Sequence, residues 1–507
     1  MPLKRPRLAL AVLCLSSFTI NLATMIVNVS LPTLTRELSA STDDLLWIVD
    51  VFNLVFAAFV LAAGSLSDRF GRKGALMTGL VTYLAGSLGS AWSGSAGALI
   101  GWRALAGLGA AVIFPTTLSI ISNLFRDRTQ RARAIGLWGA TSGVAVAAGP
   151  IVGGALLKSY WWGSAFLVCA VIAAIALALT AFTVPTSRDP SAPRLDIGGL
   201  VLSTATLGLV VYTIINAPDR GWAGVATLGG FAGSAVLGAA FVVLERRVAQ
   251  PMLDVSLFTN LRFTAASGAV TITSFALFGF IFLIAQYFQF VLHYGVLEAG
   301  LRQIPVALAV AISSILGTRL AVRIGTKTVV TAGLLLMALG YLWVSRVDEH
   351  TAYVTIALQM LVVGAGIGLT SAPATEAIMG VVPPARAGVG SAVNDATREL
   401  GGTLGVAVVG SVALSVYRDR LAGGGLDAGL VSRAQQSLGA AAATARAAAQ
   451  PALLRLAEDG FLSGLAIGCY VAGGVTLVGA VLTLLWLPVH PAPSAEPQDA
   501  SPTMVPA

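Results

Sequence analysis

The chain has 507 residues, 56% of them apolar and only 11% charged, with a mean hydropathy of +0.85. A soluble domain carries about a quarter charged residues, so a water-soluble globular protein is excluded and an all-α integral membrane protein remains, with the lipid bilayer as its surroundings. The net charge of +8 does not mark a nucleic-acid partner, because the basic residues lie in short runs between apolar segments rather than on one region.

The first apolar run, 8–31, reads "LALAVLCLSSFTINLATMIVNVSL". It lacks the small-residue cleavage site of a signal peptide and is expected to stay as a membrane span. Further runs lie near 45–66, 75–93, 98–124, 134–156, 163–184, 197–215, 222–244, 263–290, 297–321, 328–345, 351–374, 388–416 and 462–488. Each approaches the roughly 20 residues that cross about 30 Å of hydrocarbon, which makes fourteen transmembrane helices with both termini on one side. Basic residues are retained in the cytoplasm. The short loops on the termini side carry, among others, Lys4, Arg5, Arg69, Arg72, Lys73, Arg126, Arg128, Arg131, Arg246, Arg247, Arg323 and Lys327, against Arg36, Lys158, Arg220, Arg302 and Arg346 opposite. Both termini are therefore expected to be cytoplasmic.

Segment 418–460 is Ala-rich, with charges spaced as on a pair of amphipathic helices broken near Pro451, and reads as an outer cap. The tail, 491–507, is rich in Pro and Ser and is expected to be disordered in the cytoplasm. "DRFGRK" at 68–73 is echoed by "VRIGTK" at 322–327, each closing a span on the cytoplasmic side. The echo suggests two related six-helix units, 1–190 and 260–490, with two inserted helices in 191–259.

Charged and small residues inside the spans hold the functional signals. In "GSLSDRFGRK", Gly64 permits close helix approach, Gly71 a tight turn, and Arg69, Arg72 and Lys73 anchor the loop. Asp68 is more than topology requires. Read from the residues alone, it is a solvated turn charge. "GVAVAAGPIVGG" places Gly143, Gly149, Pro150, Gly153 and Gly154 along one helix, which suits close packing interrupted by a proline. Arg103 lies just inside the outer end of the fourth span, where it either snorkels to the interface or serves a buried role. In "AVNDATRELGGTLGVAVVG", 392–410, Asp395 and Glu399 are four apart and share a face. Arg398 can reach back to Asp395, and Glu399, near the bilayer midplane without a partner, is then the candidate proton carrier. Asp50 sits near the outer end of the second span. Glu376 sits near the cytoplasmic end of the twelfth and reads as a gate or interface charge. Phe275, Phe278, Phe282, Tyr287 and Phe288 offer packing or stacking surfaces.

The 64–73 stretch matches G-x-x-x-D-R-x-G-R-[KR] and resembles the loop signature of the major facilitator superfamily; 143–154 is similar to the fifth-helix signature of its drug:proton antiporters. "WIVD" at 47–50 and the stretch 392–410 resemble the 14-span multidrug exporters, and the likeness covers roughly 8–490. Two positions depart from the family pattern: Ala106 replaces the Gln of R-x-x-Q-G after Arg103, and Ala23 replaces the usual first-helix Asp. The resemblance implies two six-helix bundles plus two inserted helices, working by alternating access as a monomer in the inner membrane of a bacterium, without a cofactor. A bacterial source also fits the excess of Arg over Lys, 27 to 4. It further implies proton-coupled export of amphipathic, often cationic, drugs and dyes, and hence antibiotic resistance. Under it Asp68 stabilises the closed cytoplasmic gate, with the helix that starts after Pro383 and Pro384 as its matching partner, since that helix's N-terminal dipole favours an anion, and Arg103 joins the proton relay. Glu399, Asp395 and Arg398 couple protons, while Asp50, Asn28 and Asn394 meet substrate. The 418–460 cap, which carries no motif, is expected to matter less than Glu399.

A proton-coupled importer or facilitator of a small solute shares the fold, and the missing first-helix Asp favours it. A non-transporting sensor would need neither the gate motif nor a buried Glu399. An enzyme is disfavoured: His293, His350 and His490 lie in loops or at span ends, Cys14, Cys169 and Cys469 have no CxxC or His neighbour, and no phosphate-binding G-x-x-x-x-G-K-[ST] loop exists.

Overall fold

The computed structural model describes residues 6–38, 42–187, 196–249, 251, 253–423, 427–435 and 438–488; the tail beyond 488, Arg188, Arg194 and His490 lie outside them. The described regular elements are helices: α1 (Pro6–Glu37), α2 (Thr42–Phe70), α3 (Arg72–Ala91), α4 (Ala96–Leu124), α5 (Arg128–Ser159), α6 (Ser164–Thr183), α7 (Ile197–Arg220), α8 (Val225–Arg247), α9 (Leu261–Gln286), α10 (Val296–Leu301), α11 (Ile304–Ile324), α12 (Thr326–Val344), α13 (Tyr353–Val381), α14 (Ala387–Ala422), α15 (Ala428–Ala434), α16 (Leu438–Ala447) and α17 (Pro451–Trp486).

In hydrocarbon every backbone group must be bonded within the protein, which selects helices. Polar side chains in these spans follow the same rule by bonding back onto their own backbone. Ser16 donates to the Val12 carbonyl at 2.9 Å and Thr19 to Leu15 at 2.8 Å. Helix starts are set locally: Ser95, Asp127, Asp196 and Asn260 cap α4, α5, α7 and α9 by accepting backbone N–H bonds. Large apolar side chains such as Val225, Val236 and Leu485 are exposed on the outside, the pattern of a surface that faces lipid.

Thirteen of the described helices are long and apolar enough to cross a membrane, α10 and α11 counting together as one. The fourteenth expected span is α3. It misses that standard because Arg72, Lys73 and many Gly, Ser and Thr residues dilute it. It nevertheless runs against α4, with Gly79 on Ile113 and Gly86 on Ala106, and packs on α6. Two expected boundaries move. Pro451 takes the first turn of α17, where proline fits because its missing N–H has no partner to lose; the last span therefore starts earlier than 462. In segment 418–460, α14 runs on to Ala422 and α15 and α16 follow.

One packing pattern occurs twice. α1 lies on α5 and α6, α2 and α3 lie on α4, and α3 lies on α6; likewise α9 lies on α14 and α17, α11 and α12 lie on α13, and α12 lies on α17. The echoed loops share a backbone feature that only glycine adopts freely: Gly71 has φ 111° and Gly325 has φ 93°. The halves meet along α2 against α14 and α5 against α11, and α7, with α8 behind it, touches both α2 and α14. The ends of α1 and α17, together with the loops holding Arg69, Arg72, Arg128, Arg131 and Arg323, define a basic face; α15 and α16 lie on the opposite, far face.

Candidate functional site

At the basic face α2 and α14 cross at two glycines. A Cβ on Gly64 would lie 2.5 Å from the Gly388 carbonyl oxygen and the Ala392 Cβ, and one on Gly388 would lie 2.5 Å from the Gly64 oxygen. This close approach brings Asp68, 4% exposed, onto the start of α14. Its Oδ2 accepts the backbone N–H of Gly388 at 2.7 Å and of Val389 at 3.2 Å, two donors that a helix N-terminus leaves unpaired. Its Oδ1 accepts Arg72 Nε at 2.8 Å and is 2.7 Å from Arg72 Nη2. Arg72 in turn donates to the carbonyls of Pro384 and Ala385 at 2.9 and 2.7 Å. One carboxylate and one guanidinium thus tie the end of α2 to both sides of the turn that starts α14. Arg69 lies 5.5 Å from the Phe70 ring centre, and Lys73 bonds the Ala181 carbonyl of α6 at 2.7 Å. Gly64→Val is expected to destabilise this state by about 1–3 kcal/mol through overpacking, read as a lower melting temperature in detergent; an unchanged melt would show that the helices do not touch there.

A second ionic contact joins the halves on the same face. Glu376 of α13, 3% exposed, lies 3.7 Å from each of Arg128 and Arg131 of α5 and Arg262 of α9. Arg262 also donates to Thr326 Oγ1 at 3.1 Å, beside Gly325 in the echoed loop.

Beyond these contacts lies a cavity of about 1060 Å³ between the halves. Asp50, Asp395, Arg398 and Glu399 line it, with Asn21, Asn53, Asn216, Gln286, Gln289 and Gln303 as neutral polar groups. Trp47, Phe56, Phe114, Phe278, Phe282 and Phe461 supply aromatic surface. The wall runs from Asp395, two turns into α14, to Tyr417 and Leu438 near the far face. The cavity therefore lies on the far side of the closed Asp68 contact. Leu438 belongs to α16, so the cap, read from sequence as peripheral, contributes to the cavity wall; Tyr417 holds the cap by donating to the Ala434 carbonyl at 2.9 Å.

The Asp395–Arg398 pairing and Asn394 are placed differently from the sequence reading, and Arg103 takes the buried one of its two readings. No ion pair within 4.0 Å joins Asp395 to Arg398 among the described residues; the Arg398 guanidinium lies 5.5 Å from the Phe114 ring centre. An i,i+3 spacing permits such a pair, but the guanidinium reaches across the helix interface to the aromatic face of α4. Asp395 is 1% exposed, and its Oδ1 accepts Asn394 Nδ2 at 3.0 Å. Asn394 sits behind the cavity wall, with its Oδ1 accepting Thr375 at 2.9 Å, and does not line the space where a substrate fits. Glu399 is half-buried on the wall. Arg103 does not snorkel: 2% exposed, it donates to the Ile48 carbonyl at 2.9 Å and lies 4.4 Å from the Phe52 ring centre, bracketing Asp50 on α2. Asn28 is in α1, and its side chain lies outside the described residues.

The small residues of α5 serve packing. Gly143 faces the Ala307 carbonyl, Gly149 faces Met25 of α1, Pro150 meets Gly300 and lines the cavity, and Gly154 faces Leu297; Gly153 is buried. Of the aromatics, Phe278 and Phe282 line the cavity. Phe275 is buried, with its backbone carbonyl facing Gly405, Tyr287 donates to the Asp348 carbonyl at 2.7 Å, and Phe288 is buried. The sequence reading gave no site role to Asn53, Asn216, Arg262 or Thr375, and noted Trp47 only within the stretch 47–50. Asn53, one turn after Asp50, was the accessible signal, since an amide inside a span normally faces protein or water rather than lipid.

Comparison with known proteins agrees with this architecture. The Major Facilitator Superfamily profile matches residues 13–406. The multidrug efflux pump LfrA of Mycolicibacterium smegmatis is 36% identical over 94% of this chain and 95% of its own. The methyl viologen resistance protein SmvA of Salmonella typhimurium is 32% identical over 94% and 97%, and the multidrug resistance protein Stp of Mycobacterium tuberculosis is 35% identical over 78% and 74%. The crystal structure of the human organic anion transporter MFSD10 superposes with a TM-score of 0.61 over 94% of this chain and 99% of that one, at 16% identity, which speaks for the fold alone. The chain belongs to the Major Facilitator Superfamily.

Proposed function

We propose that this protein exports amphipathic, often cationic, small molecules from the cytoplasm in exchange for protons, by alternating access between its two halves. The carrying observation is the cavity that combines three carboxylates with many aromatic rings and amides behind a closed gate. Carboxylates attract a cation, ring faces accept its apolar and charged surface without strict shape, and amides adapt to different polar groups. The names of LfrA, SmvA and Stp as efflux or resistance proteins support the same reading. The basic loops support a cytoplasmic gate face; on this reading the described state faces outward, as after substrate release, in a bacterial inner membrane with both termini inside.

In this cycle Asp68 and Arg72, with Glu376 against Arg128 and Arg131, hold the cytoplasmic side shut. When they part, the cavity opens inward, a cation enters and a buried carboxylate releases its proton. Asp395 fits that role better than Glu399, because it is the more buried and its Oδ2 is buried without a hydrogen-bond partner among the described residues. Glu399 and Asp50, on the wetter wall, face the cation. Arg103 acts through Asp50 by fixing α2 on either side of it. The protein works as a monomer, with the cavity formed inside one chain.

The test is export of tetraphenylphosphonium from proteoliposomes under an imposed pH gradient. Uphill export that collapses with the gradient is expected; uptake with the gradient reversed in sense would make the protein an importer. Asp50→Asn is expected to lower export of dications roughly tenfold and of monocations less, since one charge near a ligand is worth about 1–2 kcal/mol in a partly wet site. Equal loss for both charge types would remove Asp50 from charge recognition.

A further inference from the structure

Asp395 is held on one of its oxygens only. Thr375 of α13 donates its hydroxyl to Asn394 Oδ1 at 2.9 Å, and Asn394 Nδ2 donates to Asp395 Oδ1 at 3.0 Å. Thr375 and Asn394 are buried, at 3% and 1% exposure. Asp395 Oδ2 is buried as well and has no hydrogen-bond partner among the described residues. The order of donors in this chain is fixed. A carboxylate only accepts, so the Asn394 amide must turn its nitrogen to Asp395, which leaves its oxygen for the Thr375 hydroxyl. The carboxylate thus sets the amide orientation, and the Thr375 hydroxyl, by donating to the amide oxygen, holds the amide there.

We propose that Thr375 and Asn394 are positioning residues of the proton site: they pin Asp395 Oδ1 and leave Oδ2 as the atom that takes and gives the coupled proton. The proposal rests on the proton-coupled reading of the cavity. When a cation leaves outward, a proton from cavity water bonds to Oδ2 through an oxygen lone pair and the carboxylate becomes neutral. When a cation enters from the cytoplasm, the Oδ2–H bond breaks, the electron pair stays on oxygen and the proton returns to water. The charged groups that line the cavity with Asp395 are Arg398 and Glu399 on its own helix and Asp50 on α2; α4, α7, α9 and α17 add none to the wall. Asp68 and Arg72 of α2 meet α14 two turns nearer the basic face. A buried carboxylate oxygen without a donor is costly while charged, so Oδ2 is the atom a proton relieves.

Infrared difference spectroscopy of the purified protein tests this through the carboxylic-acid C=O band that Asp395→Asn removes. Asn394→Leu is expected to move the pH midpoint of that band up by about one unit, because the lost N–H donor favoured the charged form. Thr375→Val should move it in the same direction by less and add nothing on top of Asn394→Leu. Thr375→Ser, which keeps the hydroxyl, should match wild type. If Asn394→Leu does not fold, Thr375→Val against Thr375→Ser still decides. Wild-type midpoints in every folded variant, or no protonation of Asp395 between about pH 5 and 9, would overturn the proposal. A band that titrates and shifts as expected in a protein that moves no cation would leave the clamp standing and remove the export reading.

Discussion

Asp68→Asn is expected to reduce uphill export at least tenfold while membrane insertion and expression stay normal. Asp68 joins the two halves through bonds that depend on its charge. It neutralises Arg72, which is 1% exposed, and it accepts two N–H groups at the positive end of α14. An asparagine keeps the size but presents an NH2 group toward donors and leaves Arg72 buried without its counter-ion. Breaking one partner of a buried pair costs about 3–5 kcal/mol. That cost falls on the closed state, because the open state has no Asp68–α14 contact to lose. Since about 1.4 kcal/mol changes a population tenfold, the gate should stay open for most of the cycle. Insertion is set by Arg69, Arg72 and Lys73, which remain. A direct readout is alkylation at Ala392→Cys in a cysteine-free background, added from the cytoplasmic side: Ala392 is fully buried in the closed gate and should become reactive with Asp68→Asn. Normal export by a well-expressed variant would remove the gate assignment.

Asp395→Asn should abolish uphill export of every substrate, by about a hundredfold or more, yet leave cation binding and downhill flux within a few-fold of wild type. Glu399→Gln should do the reverse in part: coupling persists and cation affinity falls about tenfold, as expected for one lost charge contact in a partly hydrated site. The contrast follows from burial. Asp395 is the more buried, 1% exposed at the cavity wall and accepting one amide, whereas Glu399 is half-buried on the same wall. Counterflow of tetraphenylphosphonium without a pH gradient separates the two effects, because it needs binding and gating but no net proton movement. Loss of counterflow with Asp395→Asn would mean that Asp395 serves the cation rather than the proton.

The scaffold and the contact of Asp68 with α14 were legible in the sequence, and the inner site less so. Apolar runs, Pro and capping residues mark helices because those signals act within a few neighbouring residues. Asp68 was legible because a lone acid in a basic loop conflicts with topology, and Pro383–Pro384 marked the helix start that it meets. The echo of 68–73 in 322–327 foretold the two glycine turns. The partners of Arg398 and Asn394 were not legible: spacing on one helix permits a contact, but a neighbouring helix decides it, here through Phe114 and Thr375. The same holds for Asn216 and Leu438, whose place on the cavity wall depends on how α7 and α16 pack. Glu376 illustrates the limit from the other side, since its depth was readable but its three arginines come from α5 and α9.

Proton release on adding tetraphenylphosphonium to the purified, weakly buffered protein is the most direct measurement of cation–proton exchange at Asp395. Wild type and Glu399→Gln, the latter at saturating cation, should both acidify the medium, and Asp395→Asn should bind the cation without acidification. Acidification by Asp395→Asn equal to that of wild type, with none from saturated Glu399→Gln, would contradict the account and move the proton to Glu399.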